Sequence, residues 1–224
     1  MGLRLVVSNI YKHHNEKSLF EACSYSFDHS GIYVLMGPNG SGKSTFLRMC
    51  ALLESPDRGE ISYFEGNRAL PKDINLMRRI TLLFPEVGVF NTTVFKNVAY
   101  GLKIRGFKNN KIKEKVEEVL QFVGLIHKKE QNALTLSTGE KKRMGIARAL
   151  VLEPEVLFLD EPTASVDWKN TEIIENIIIQ LKKRLNSIII IATHDKESTK
   201  RVGDFLLYIR EGKIYKEHPD KQIP

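Results

Sequence analysis

The run "IYVLMGPNGSGKSTFLRMCALL", Ile32 to Leu53, begins with five apolar residues, breaks into a glycine-rich turn, and resumes with apolar residues at helical spacing. A short apolar run bounded by glycine reads as a buried strand, and the 3.6-residue period after it as a helix. Between them "GPNGSGKST", Gly37 to Thr45, matches GxxxxGK[ST] in the strand-to-helix setting that gives this pattern its meaning. Gly37, Gly40 and Gly42 permit a turn whose amides converge on a polyphosphate, and the helix dipole favours that charge. Lys43 is placed to reach the terminal phosphates and Ser44 to offer a hydroxyl to Mg²⁺. Pro38, Asn39, Ser41 and Thr45 complete the candidate nucleotide loop. A glycine turn without a ligand is the bland alternative, and Lys and Ser in register after a strand weigh against it.

Two further segments bring chemistry to the same edge of a sheet. In "VLFLDEPT", Val156 to Thr163, a buried strand delivers Asp160 and Glu161 at its carboxyl end, where ligands of open α/β sheets lie. Adjacent carboxylates can divide labour: Asp160 to the metal sphere, Glu161 to polarising an attacking water. The competing reading is that one of them caps a helix beyond Pro162. "IATHD", Ile191 to Asp195, places His194 after another apolar strand; a histidine there is more often structural than catalytic, and only its company raises it.

The 224 residues carry a formal charge of +7 and a pI near 9.3, with 42% hydrophobic and 27% charged residues, as in an ordinary globular chain. Basic runs such as "KNNKIKEK", "EKKR" and "KKR" alternate with Glu, which favours solvated helix faces over a nucleic-acid surface. No apolar run approaches the ~20 residues of a membrane-spanning helix, and the start "MGLRLVVSN" turns polar too soon to read as a signal peptide, so none is expected. Cys23 and Cys50 lack metal or disulfide spacing and read as packing thiols. There is no repeat and no long linker, so one domain over 1–224 is expected: an α/β core at 1–90 and 152–224 carrying a helical insert at 91–151. The first third is β-rich ("LRLVVSNI", "FEACSYSF", "GEISYF"), the middle helical, and the last third alternates strand and helix up to a terminal hairpin. With only "KEHPDKQIP" after the hairpin, feedback from an appended cargo-sensing domain is not expected.

One stretch is left unexplained by a single nucleotide site. "LSTGEKKR", Leu136 to Arg143, pairs Ser137 with Glu140 as a capping box, a second helix start able to attract an anion. The order "GPNGSGKST", "LSTGE", "VLFLDEPTASVD", "ATHD" resembles the ABC-type ATPases over essentially the whole chain. The resemblance implies a P-loop NTPase of the ABC nucleotide-binding type, with a RecA-like core, an antiparallel β subdomain and a helical insert. It implies ATP and Mg²⁺ as ligands, catalytic roles for Glu161, His194 and Lys43, and metal contacts from Ser44 and Asp160. Ser137 and Gly139 are then expected to contact the nucleotide of a second copy in a homodimer, with Ala164 to Asp167 crossing the interface. Such a dimer uses each patch twice and builds two composite sites from two half-sites.

Two departures from the family pattern are legible. Pro85, followed by Glu86, stands where a glutamine usually links the metal and water to the membrane partner; proline has neither a side-chain acceptor nor an N–H. The adenine-stacking aromatic falls on His14, with Tyr11 as the near alternative. The segment "FNTTVFKNVAYGLKIRG" resembles the docking region of importers fed by an extracytoplasmic substrate-binding protein, most of all oxyanion systems for tungstate or molybdate. The expectation is an ATPase subunit at the cytoplasmic face of the membrane, serving transmembrane permease subunits through Phe84 to Gly106, with no nucleic acid partner. The competing readings are a soluble ABC-type ATPase acting on nucleic acid or ribosomes, an exporter or lipoprotein-release ATPase, and a small-molecule kinase. The kinase leaves "LSTGE" and Glu161 without a purpose.

Overall fold

A strand that is apolar at every position needs cover on both faces, and β3 (Gly31–Met36) receives it. In the computed structural model, which describes residues 2–15, 17–184 and 187–216 and so leaves the C-terminal tail outside the described residues, Ile32, Val34 and Met36 face one core cluster while Tyr33 and Leu35 face another. This is the period of two in a pleated strand, with both faces dry.

β3 lies in a six-stranded sheet. β8 (Ile188–Ala192), β7 (Val156–Asp160) and β6 (Ile80–Leu83) follow it in parallel on one side, β9 (Phe205–Arg210) in parallel on the other, and β10 (Lys213–Lys216) pairs antiparallel at the edge. A smaller antiparallel sheet has the order β2 (Lys17–Phe27), β1 (Leu3–His14), β4 (Arg58–Glu65), β5 (Arg68–Ala69). β1 and β2 are longer than their apolar cores and bulged: Asn9 and Ala22 sit at φ 50°. At Gly59 a Cβ would lie 2.3 Å from the Asn9 carbonyl oxygen, so only glycine lets β4 close on that bulge.

The phosphate-loop helix α1 (Lys43–Cys50) contributes Phe46, Leu47, Met49 and Cys50, all fully buried, to the core that the two sheets share. The Phe46 ring centroid is 5.7 Å from that of Phe20 and 6.3 Å from that of Phe27, which are β2 residues. Phe46 thus ties the small sheet to the helix that begins at the phosphate loop. Phe46→Ala is expected to cost about 3–5 kcal/mol of stability, read as a lower denaturant midpoint at unchanged slope.

On the opposite face of the large sheet pack α3 (Val94–Ile104), α4 (Asn109–Phe122), α5 (Thr138–Leu150) and α6 (Trp168–Arg184), through side chains such as Val98, Val116, Ile146 and Ile174. A one-turn α2 (Ile74–Met77) precedes β6, and α7 (Lys196–Val202) precedes β9. Cys23 and Cys50 are free and buried, and burial pushes the Cys23 thiol up to about 11, as packing thiols require. Among the described residues no helix is long and apolar enough to cross a membrane.

Candidate nucleotide and catalytic site

The three parallel strands β3, β8 and β7 end at one edge of the sheet, and each hands its next residues to the same place. After β3 comes the phosphate loop. Gly40 and Gly42 adopt φ of 74° and 96°, which favour glycine, and a Cβ at Gly42 would sit 2.9 Å from the Phe20 ring. At Gly37 a Cβ would meet the Ser41 hydroxyl at 2.7 Å. Gly37 and Gly42 are therefore closed to side chains; within the turn the Ser41 amide donates to the Pro38 carbonyl at 3.2 Å, and the start of a helix presents its remaining amides to an anion. Lys43, buried at 7% exposure, donates to the Gly37 carbonyl at 2.8 Å and the Pro38 carbonyl at 3.2 Å, so its ammonium is held over the loop. The Ser41 hydroxyl is buried without a partner. Thr45 accepts a bond from Arg48 at 3.0 Å, and Arg48 in turn pairs with Glu54 at 2.9 Å.

β7 ends in Asp160 and is followed by Glu161, two carboxylates in different surroundings. Asp160 is 2% exposed; the Ser44 hydroxyl bonds its carboxyl group, yet Oδ1 is buried with no partner. Burial pushes the Asp160 carboxyl above its usual range, the Ser44 hydroxyl opposes that shift, and the neighbouring Glu161 charge adds to it. An unpartnered buried carboxylate oxygen beside a serine hydroxyl fits a divalent cation. Mg²⁺ commonly takes one or two protein ligands and completes its shell with phosphate oxygens and water. Among the described residues no cluster of three or more His, Cys, Asp or Glu could cage a metal by itself.

Glu161 adopts φ 48°, a left-handed conformation that costs a non-glycine residue about 1–2 kcal/mol. Its amide donates to the Ala192 carbonyl at 2.9 Å, which pins it to the end of β8. Its Oε1 lies 2.9 Å from His194 Nδ1, so the histidine after β8 and the glutamate after β7 form one pair. The Glu161 side chain is 17% exposed and that of His194 60%, which leaves the histidine the more accessible partner.

The α5 start is built as its sequence predicts. The Ser137 hydroxyl accepts from the Glu140 amide at 3.3 Å, and the Glu140 carboxylate accepts from the Ser137 amide at 2.9 Å. Ser137 and Thr138 are exposed. Gly139 is buried: a Cβ there would lie 2.4 Å from Asn170 Cγ, and Asn170 bonds Asp167 through both its amide and its side chain. Glycine at 139 thus lets α6 and the Asp167 turn approach α5.

His14 ends β1 exposed, in register with Lys17 of β2, whose ammonium donates to the Gly40 carbonyl at 3.0 Å. Tyr11 is in register with Arg58 of β4 instead. Lys17 has no mark in the sequence: an isolated lysine at a hairpin carries no signal until the fold brings it to the loop. "EKKR" reads as a solvated face, but Lys142 is 6% exposed and Arg143 donates inward to the Val123 carbonyl at 3.1 Å. The missed signal is the stripe Gly139, Lys142, Gly145, Ala149, whose spacing of three and four marks the buried side of α5.

Comparison with known proteins gives the family. The family model described as ABC transporter matches residues 20–164. A relative described as the tungstate uptake system ATP-binding protein TupC, from Peptoclostridium acidaminophilum, is 32% identical over 212 residues, covering 95% of this chain and 97% of that protein. Among solved structures, cbiO1 from Clostridium perfringens, described as part of the ABC transporter complex cbiONQ, superposes with a TM-score of 0.84 at 27% identity, over 96% of this chain and 88% of that one. The chain belongs to the ABC transporter family, as an ATP-binding subunit whose hydrolysis of ATP is coupled to transport.

Proposed function

We propose that the chain powers an importer of an oxyanion such as tungstate or molybdate, working as a homodimer at the cytoplasmic face of the membrane beneath transmembrane permease subunits. Cargo then reaches the permease from an extracytoplasmic binding protein and never touches this subunit. The tungstate uptake relative, matched along nearly its whole length, supports the cargo class.

In this reading the Gly37 to Thr45 loop and Lys43 hold the ATP phosphates, and His14 lies against the adenine. Mg²⁺ held at Ser44 and Asp160 would neutralise phosphate charge. Glu161 draws the proton from the attacking water, and His194, paired with it, senses the γ-phosphate. Ser137, exposed at the α5 start, meets the nucleotide of the second copy; buried Gly139 acts first as the spacer that sets α5 against α6. The observation that carries this assignment is the Glu161–His194 pair at 2.9 Å, next to the free Asp160 oxygen, at the strand ends that also present the loop.

The permease is accommodated by a groove of about 230 Å³ between β6, α3 and α5, lined by Phe84, Glu86, Val87, Tyr100, Gly101 and Arg148 among others. Phe84 and Tyr100 are exposed there, and so is Phe90, whose ring is 4.8 Å from Tyr100. Purification from detergent-solubilised membranes is expected to recover multi-spanning subunits, whose reconstitution should give ATPase activity stimulated by a tungstate- or molybdate-loaded binding protein. Recovery of nucleic acid in place of membrane subunits overturns the transport reading, and stimulation by another cargo alone overturns the oxyanion.

A further inference from the structure

Lys142 is a buried cation with no role in the chemistry described so far. Its ammonium donates to two main-chain carbonyls, that of Pro85 and, at 3.1 Å, that of Glu161. We propose that Lys142 is a positioning residue that fixes the main chain of Glu161 and couples it to the loop at Pro85 and to the start of α5. The proposal rests on the assignment of Glu161 as the residue that handles the attacking water.

Three observations carry it. An ammonium is costly to bury and stays charged in a core only where it finds acceptors; here two of its three donors go to carbonyls that belong to two different functional segments. Burial pushes the Lys142 ammonium below its usual range, and the charges of Glu161, Asp160 and Glu86 oppose that shift. Next, the left-handed backbone of Glu161 persists only if its surroundings over-determine it. Its carbonyl accepts from Lys142 Nζ and from the Ala164 amide at 3.2 Å, while its own amide is bonded to Ala192. Of these three bonds, the one from Lys142 is the one made from outside the strand-end loops. Finally, Pro85 has no side-chain donor or acceptor and no N–H, so its carbonyl is the polar group through which it reaches Glu161. Movement of that loop, which borders the groove by β6 and α3, is transmitted to the catalytic carboxylate through a single ammonium.

The stripe that buries Lys142 also carries Gly139, one turn earlier on α5. The same helix therefore presents Ser137 at its start and holds Glu161 from its side. A shift of α5 on docking against a second copy would be felt at Glu161 of its own chain.

The test compares Lys142→Met, Lys142→Gln and Lys142→Arg in the full-length protein, measuring turnover, ATP dissociation constant and melting temperature. Losing a charged donor to a carbonyl is expected to lower kcat of Lys142→Met by roughly ten- to hundredfold, while ATP affinity, set at the phosphate loop, changes by less than about twofold. Gln and Arg, each with two or more donors, should recover most of kcat; they also carry the test if Lys142→Met does not fold. Wild-type kcat in Lys142→Met overturns the proposal. So does a fall in kcat matched by falls in ATP affinity and melting temperature across all three, which would mark Lys142 as packing alone. Absence of turnover in the wild type would instead defeat the underlying assignment of Glu161.

Discussion

Glu161→Gln is expected to lower ATP turnover by about two to four orders of magnitude and to leave an ATP-bound dimer that survives size-exclusion chromatography. Glutamine keeps the shape of the side chain and one oxygen for His194, so the 2.9 Å pairing can persist. It loses the charge and the capacity to take a proton from water. Binding of ATP depends on the phosphate loop, on other elements, and should stay within a few-fold of wild type. With the bond to the γ-phosphate no longer hydrolysed, the contacts that form only while that phosphate is in place persist, so the closed state accumulates. His194→Ala is the informative companion. It deletes the partner of Glu161 Oε1 but keeps the carboxylate, and so should slow turnover without trapping a dimer as firmly. Turnover by Glu161→Gln at the wild-type rate would move the base elsewhere. An ATP-loaded variant that ran as a monomer would remove the shared site.

The outcome bears on how the sequence encodes the site. β3, β7 and β8 were legible because parallel strands covered on both faces are apolar throughout, and each apolar run is broken at its carboxyl end: by Gly37 just after β3, by Asp160 as the last residue of β7, and by Thr193 and His194 just after β8. The capping box of α5 was legible because it is local, made by side chains three residues apart. What escaped is tertiary. β6 is four residues long and follows Arg78 and Arg79; pairing with β7 from Ile80↔Val156 to Leu83↔Leu159 makes it a strand, and no pattern within it does. Arg79 itself is consumed by the fold, bonding Glu155 at 2.6 Å beside β7 and Glu65 at 2.8 Å in the small sheet. Lys142 and Lys17 look like solubilising charges until two distant carbonyls, Glu161 for one and Gly40 for the other, are brought to them. A lysine has three donors on a long stem, so its partners are set by the fold and leave little trace in its neighbours along the chain.

Lys43→Ala is expected to raise the ATP dissociation constant by roughly two orders of magnitude, the equivalent of about 2.7 kcal/mol, which lies toward the upper end of the range for a charge-assisted contact that is lost outright. Turnover should fall below detection at ordinary ATP concentrations. The ammonium is held in advance by the Gly37 and Pro38 carbonyls at 2.8 and 3.2 Å, so wild type spends little side-chain entropy when phosphate arrives. With alanine the loop amides and the helix dipole remain, and residual affinity should be similar for ATP and ADP, since the lost group is the one that reaches the terminal phosphates. Melting experiments separate this from damage to the fold. At ligand near a hundred times the dissociation constant, bound nucleotide stabilises the wild type by about 2.7 kcal/mol, and that gain should all but vanish in the variant. Without nucleotide the two proteins should melt close together, because the carbonyls that Lys43 releases lie at the loop, where water can replace it. A variant that gained as much from ATP as the wild type would show that the loop amides bind without the lysine, and phosphate recognition would have to be reassigned to the glycine turn and Lys17.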